Sequence, residues 1–183
     1  IGGNVFSNTA TGNHYYGFKV TGGNVFDNTA TANYSYAFWV SGGNVSENDA
    51  SSNFGHGFVV LGGSVSLNIA SRNTGYAGFY VNRNGNVTNN AANYNQEGFI
   101  VESGNVMGSL ATYQNSSYGF ILNNDSVAIN ISGDRNKNGI FVGFGAQLRE
   151  GISACYDTEY GIFVNGGTVS GTFKSDKPIQ GGG

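Results

Sequence analysis

The sequence predicts an all-β protein, a right-handed parallel β-helix of about nine coils of 19–22 residues with three short strands per coil. Three observations carry that prediction. A valine ladder recurs at Val5, Val25, Val45, Val65, Val87, Val106 and Val127, continues through Leu148 and ends at Val169, in steps of 20, 20, 20, 22, 19, 21, 21 and 21 residues. A second block, Gly or Ala followed by an apolar pattern, stays in register with it: GFKV at Gly17, AFWV at Ala37, GFVV at Gly57, GFYV at Gly78, GFIV at Gly98, GFIL at Gly119, and GIFV at Gly139 and Gly161. Finally, the 183 residues include 31 glycines but one proline and 10% charged residues, which is turn chemistry repeated many times. A hydrophobic fraction of 39%, with 13 Phe and 11 Tyr, is far more apolar than a solvated coil, so the chain folds.

Each repeat holds three β-prone pieces, in the first coil NVFSN, NTATGN and YGFKV, separated by Asn and Gly. No apolar spacing of three and four persists, which excludes a helical repeat. Each unit must wind once around an axis and lay its strands on the preceding coil at the ~4.8 Å spacing of paired strands, giving a rod roughly 40 Å long. Parallel crossovers prefer the right-handed sense.

The ladder valines, the small residues five positions later (Ala10, Ala30, Ala50, Ala70, Ala92, Ala111, Ser132, Ser153) and the Phe and Val of each GFxV block are expected to point inward. Asn8, Asn28, Asn48, Asn68, Asn90 and Asn130 are expected at corners, bonding the same amide one coil away. The pairs Gly2-Gly3, Gly22-Gly23, Gly42-Gly43, Gly62-Gly63 and Gly166-Gly167 supply a corner that needs positive φ. The β-helix is expected over residues 1–173, and the segment 174–183, with Pro178 and terminal glycines, as a tail leaving the rod.

A net charge of −3 with eight scattered Lys and Arg gives no footprint for phosphates, so nucleic acid is excluded as a partner. No apolar run approaches the ~18–20 residues of a membrane span. The chain opens inside a repeat, without Met and without a signal peptide, and reads as a mature product or a piece of something longer. The lone Cys155 excludes an intramolecular disulfide and has no His in its own or a neighbouring repeat, so it reads as a buried small residue.

The stretch GHGFVVLGGSVSLNIASRN, from Gly55 to Asn73, resembles the parallel β-helix repeats of the pectate-lyase-like superfamily. It is similar above all to the Asn-rich repeats of carbohydrate-binding and sugar-hydrolase β-helix domains and of periplasmic copper-insertion accessory proteins. The resemblance covers about residues 1–173 and implies the fold. Its implication for activity is open, because that superfamily spans lyases, hydrolases, epimerases, phage tailspikes, adhesins and non-catalytic fibres. The catalytic signatures of pectate lyases, polygalacturonases and mannuronan epimerases are absent from the sequence.

Among scarce carboxylates, Asp27 and Glu47 both fall two residues after a ladder valine, on adjacent coils, with Asp49 close by. Such a pair can act as acid and base, or bind Ca²⁺ with further oxygens; a solvated acidic face is the plainer reading. No other cofactor is expected. His14 and His56 lie two coils apart, which argues against a shared metal. Thr9, Thr11, Thr29 and Thr31 form a Thr-x-Thr array of the ice-binding kind, but it decays within two further coils.

The outward side of the GFxV strand is more telling. If Phe18 and Val20 face in, Lys19 faces out, and its equivalents are Trp39, Val59, Tyr80, Ile100, Ile121, Phe141 and Phe163. Seven of these eight are apolar, more than a soluble monomer normally exposes in one patch, so either something covers this row or the row is itself core. Tyr16, Tyr36, Trp39 and Tyr80 are also candidates for stacking on sugar rings, with corner Asn donating to hydroxyls.

Three functions follow. The first is a non-catalytic structural or adhesive rod outside the cell, on a cell surface or a virion, that self-associates into an oligomer or fibre and contacts polysaccharide. The second is a polysaccharide lyase or hydrolase such as a tailspike domain, and the third a periplasmic metal-accessory protein.

Overall fold

A computed structural model describes residues 3–110 and 114–182, and throughout these the chain winds as a parallel β-solenoid of about nine turns, without a helix. The first coil sets the pattern with strands Asn4–Phe6, Thr9–Thr11 and Phe18–Thr21, one for each of three sheets. Among the described residues the first and third sheets each contain nine strands, ending at Thr168–Val169 and Ile179–Gly182. The second runs through five strands to Ala91–Asn93 and continues by the bridges Ala91 to Leu110, Leu110 to Ser132 and Ser132 to Ser153.

The interior is a set of stacks. Phe18, Phe38, Phe58, Phe79, Phe99 and Phe120 pile ring on ring with centroids 4.7–4.9 Å apart. Ile140 and Ile162 continue the column. The strand spacing sets this separation, because identical side chains on successive coils have no other place to go. Each buried ring contributes about 2–3 kcal/mol from burial alone, with a smaller gain from stacking. Among the described residues, the expected GFxV register holds throughout.

Corners explain why Asn recurs. The corner between the first and second sheets places a residue at positive φ (Ser7, Asp27, Glu47, Leu67, Asn89, Gly108, Asn130, Gly151, Gly171). The next residue is a buried Asn in the central coils, at positions 28, 48, 68 and 90. The corner between the second and third sheets repeats this device, with Gly12, Ala32, Ser52, Arg72, Tyr94, Gln114, Arg135 and Tyr156 at positive φ. Behind them Asn33, Asn53, Asn73, Asn95, Asn115, Asn136 and finally Asp157 are buried. Each turn would otherwise bury unpaired backbone groups, and the ladder satisfies them. Asn53 Nδ2 donates to the Ala30 carbonyl at 3.0 Å, and its Oδ1 accepts from the Asn33 backbone N–H at 3.0 Å.

Several expected positions shift. In the seventh coil the interior ladder runs through Ala128, which pairs with Val106 and Leu148, while Val127 pairs with Asn105 and Gln147 and lies half-buried on the outside. The step from Leu122 to Ala128 is six residues, against five from Val101 to Val106, so the extra turn residue displaces the ladder by one. The same displacement moves the small inward position from Ser132 to Gly133, and a separate extra residue in the corner after Leu148, where Gly151 takes the positive φ, moves it from Ser153 to Ala154. The shift at Ala128 also moves Asn130 into the positive-φ row, with Ile131 where an amide would be, and in the next coil Ile152 stands at the same place behind Gly151. Past residue 173 the chain stays on the rod. Phe173–Ser175 and Ile179–Gly182, mostly within the expected tail of 174–183, pair in parallel with Ile152–Ala154 and Tyr160–Asn165.

The third corner is the glycine one: Gly22, Gly23, Gly42, Gly43, Gly62, Gly63 and Gly166 have positive φ, and a Cβ on Gly23 would overlap the Gly3 carbonyl. Gly2, Ala111 and Tyr113 lie outside the described residues.

Candidate functional site

The outer face of the third sheet carries a row in continuous register, Lys19, Trp39, Val59, Tyr80, Ile100, Ile121, Phe141 and Phe163. The alternative that this row is core fails, since Phe and Val of each GFxV block fill the interior and the row stays on the outside. Its members are half-buried against one another, apart from exposed Lys19 and from Val59, which is 7% exposed beneath its neighbours. Phe141 stacks on Phe163 at 5.7 Å and meets Tyr118 edge-on at 5.9 Å.

Beside it runs the row formed by the residue two before each inward Phe or Ile: Tyr16, Tyr36, His56, Ala77, Glu97, Tyr118, Asn138 and Tyr160. Tyr16 packs on Tyr36 at 5.7 Å and Tyr36 on His56 at 5.2 Å, with the ring planes tilted by 40° and 44°, and His56 reaches Tyr80 at 5.7 Å. Lys19 Nζ stands 5.5 Å from the Tyr16 ring centre and 5.2 Å from that of Trp39. The four aromatic residues expected to stack on sugars therefore lie on one surface, together with a cation. Such a surface offers flat apolar faces to pyranose C–H groups and a positive charge to an acidic substituent.

His56 belongs to this platform and was not identified as part of it from the sequence. The Ala77 N–H donates to its Nδ1 at 3.0 Å, and burial holds its pKa below the usual histidine value, so the ring is neutral at pH 7 with the proton on Nε2. The available signal was GHGF standing in register with YYGF, where His replaces an aromatic. Glu97, two coils further along the same row, was also overlooked. It is buried, Ser117 bonds its carboxylate, Oε2 has no partner, and burial raises its pKa.

Of the corner asparagines expected to donate to sugar hydroxyls, Asn28, Asn48, Asn68 and Asn90 are buried with their amides consumed by the ladder, whereas Asn8 and Asn130 are exposed. Accessible amides on the first sheet include those of Asn4, Asn24, Asn44, Asn86 and Asn105.

Asp27 and Glu47 do fall on adjacent coils, following the paired Phe26 and Ser46, at the exposed corner between the first and second sheets. Ser7 donates its hydroxyl to Asp27 Oδ2 at 2.7 Å, and the Ser51 hydroxyl bonds Asp49. Among the described residues no three of His, Cys, Asp and Glu gather where they could hold a metal. His14 packs on Tyr34 at 5.3 Å, two coils from His56. Cys155 is buried. The Thr11 and Thr31 hydroxyls bond each other at 2.6 Å, and the array ends at Asp49 and Ser51. Among the described residues there is no helix long and apolar enough to cross a membrane.

The fold is a right-handed parallel β-helix. A similar solved structure is the A-module of the mannuronan C-5 epimerase AlgE4 of Azotobacter vinelandii, with a TM-score of 0.50 and 13% identity over 99% of this chain and 57% of that one. The AlgE6 A-module of the same organism gives 0.48 and 17%, over 96% and 58%. The chain thus spans somewhat over half the length of these modules, and at such identities the likeness concerns the fold. No protein-family model matches the chain, and no curated protein does.

Proposed function

We propose that the protein is a non-catalytic rod working outside the cell, on a cell surface or a virion, whose third sheet is its binding face. The half of that face from Ile100 to Phe163 packs against a second copy of the chain. The half around Tyr16, Tyr36, Trp39 and Tyr80 receives glycan. One observation carries the reading: an unbroken outward row of seven apolar side chains, still partly open to solvent, on a rod with 10% charged residues. Covering what remains exposed contributes roughly 5–10 kcal/mol at about 25 cal/mol per Å², enough to drive association.

Light scattering on a concentration series is expected to give an oligomer at tens of micromolar, and a monomer throughout would overturn the reading. A second reading, a polysaccharide-modifying enzyme, is favoured by the fold shared with a mannuronan C-5 epimerase module and by the adjacent carboxylates of Asp27 and Glu47. Against it, both carboxylates stand exposed on a corner. Incubation with acidic polysaccharides distinguishes the two: a product formed by the wild type and lost in Glu47→Gln establishes the enzyme. The third reading, metal delivery, has only His14 and His56 to rest on, and they are separated.

A further inference from the structure

The corner between the second and third sheets changes character along the rod. Its positive-φ position holds Gly12, Ala32 and Ser52 in the first three coils, then Arg72 (φ 54°), Tyr94 (φ 57°), Gln114 (φ 56°), Arg135 (φ 61°) and Tyr156 (φ 62°). Gly or Asn adopts this backbone at least cost, and Asn abounds in this chain, yet long side chains occupy the strained position in five successive coils. Backbone strain retained in this way points to a use for the side chains it projects. Four of them pack in pairs: the Arg72 guanidinium lies over the Tyr94 ring at 5.0 Å and that of Arg135 over Tyr156 at 5.4 Å.

Beside this row lies an open groove of about 600 Å³, lined among others by Tyr94, Gln96, Gln114, Ser116, Ser117 and Lys137. The volume is in the range of small-ligand sites. Its lining offers an aromatic ring, two carboxamides, two hydroxyls and the Lys137 ammonium, and the Arg72 guanidinium, three coils from Lys137 and outside that lining, lies over the Tyr94 ring. Three coil steps span ~14 Å, the reach of a short linear oligosaccharide. Lys137 is paired with Glu159 at 3.3 Å, but both side chains are about half exposed, so an incoming anion can compete for the ammonium. Glu97, adjacent in sequence to Gln96, is buried and bonded by Ser117, which keeps its carboxyl from lining the groove.

We propose that this corner groove binds a linear anionic saccharide, with a sugar ring on Tyr94, its hydroxyls on Gln96, Gln114 and Ser116, and its acidic groups at Arg72 and Lys137. The site is separate from the third-sheet face and stands whether or not the chain self-associates.

The test is a titration of the ¹⁵N-labelled full chain with three hexasaccharides: an oligomannuronate, a sulfated heparin fragment and neutral cellohexaose. At least one anionic hexamer is expected to shift the amides of Tyr94, Gln96, Gln114 and Ser116, to bind about tenfold or more tightly than cellohexaose, and to weaken with added salt. The two anionic arms tell carboxylate from sulfate. Tyr94→Asn and Arg72→Asn keep a residue that tolerates positive φ, so the fold is retained, and each is expected to lower affinity about tenfold. The proposal is overturned if neither anionic hexamer shifts these amides at millimolar concentration, if the shifts fall only on the third-sheet face, or if both folded variants bind as the wild type does.

Discussion

Asn53→Leu is expected to destabilise the protein by about 3–5 kcal/mol, read as a lower urea midpoint with an unchanged slope. The substitution nearly conserves volume, so the loss is one of hydrogen bonds. Asn53 is 1% exposed, and its Oδ1 accepts from both the backbone N–H and the side-chain amide of Asn33, while its Nδ2 donates to the carbonyls of Ala30 and Ser51. Leu leaves the Asn33 N–H and the Ala30 carbonyl buried without these partners, at about 1–3 kcal/mol each, with the remaining bonds lost in addition. The control is Asn24→Leu. Asn24 also sits in an amide ladder, bonding Asn4 and Asn44 at 3.0 Å, but on the exposed first sheet, where water replaces what is lost. Its cost is expected below about 1 kcal/mol. Equal costs at the two sites would mean that the buried ladder is not what holds the corner.

Asp157→Asn is expected to act in the opposite direction. Asp157 terminates the buried amide ladder and is 2% exposed. The Asn136 N–H donates to its Oδ1 at 2.8 Å, as it would to an Asn, but Oδ2 stands where the ladder needs a donor and has no partner. Burial, with Asp134 and Asp176 adding repulsion and Lys177 opposing it, pushes the carboxyl from 3.8 up to about 7. A folded pKa above the unfolded one means that the folded state holds the proton more tightly. The stability contributed by protonated Asp157 is therefore complete below pH 3.8 and is lost as pH rises to about 7. The loss is on the order of a few kcal/mol. Asn supplies the missing donor at every pH. The variant is expected to melt roughly 5–10 °C higher than the wild type at pH 8, with the difference shrinking toward pH 4. A constant difference across that range would contradict the assignment.

The fold was legible in the sequence because a solenoid repeats its constraints. Val5, Phe18 and Asn8 each recur at one step, and any register that stacks one row stacks them all. What was misread lies where coil length changes. Val127 fits a valine ladder better than Ala128 by residue type, but the turn after Leu122 is one residue longer and brings Ala128 inward. Ser132 and Asn130 were displaced with it, and Ser153 by a second extra residue in the corner between Leu148 and Gly151. Segment 174–182 looked like a tail because Pro178 and the glycines carry turn chemistry, yet Ile179 still pairs with Ile162. The outward row of the third sheet was legible from alternation alone. The platform around it was not, because the contribution of His56 comes from ring contacts between coils, which no local pattern records. The arginines and tyrosines at positive φ were equally hidden, since neither residue type signals a left-handed backbone.

The claim that the third-sheet face is the binding face is tested most directly by the double substitution Ile100→Lys and Ile121→Lys, followed by light scattering and far-ultraviolet circular dichroism. Both side chains project outward from paired positions of neighbouring strands, so two lysines there add charge to the face without entering the core. The account predicts a monomer with the β-sheet spectrum and cooperative unfolding of the wild type. A variant that remains as oligomeric as the wild type, or one that no longer folds, would contradict it.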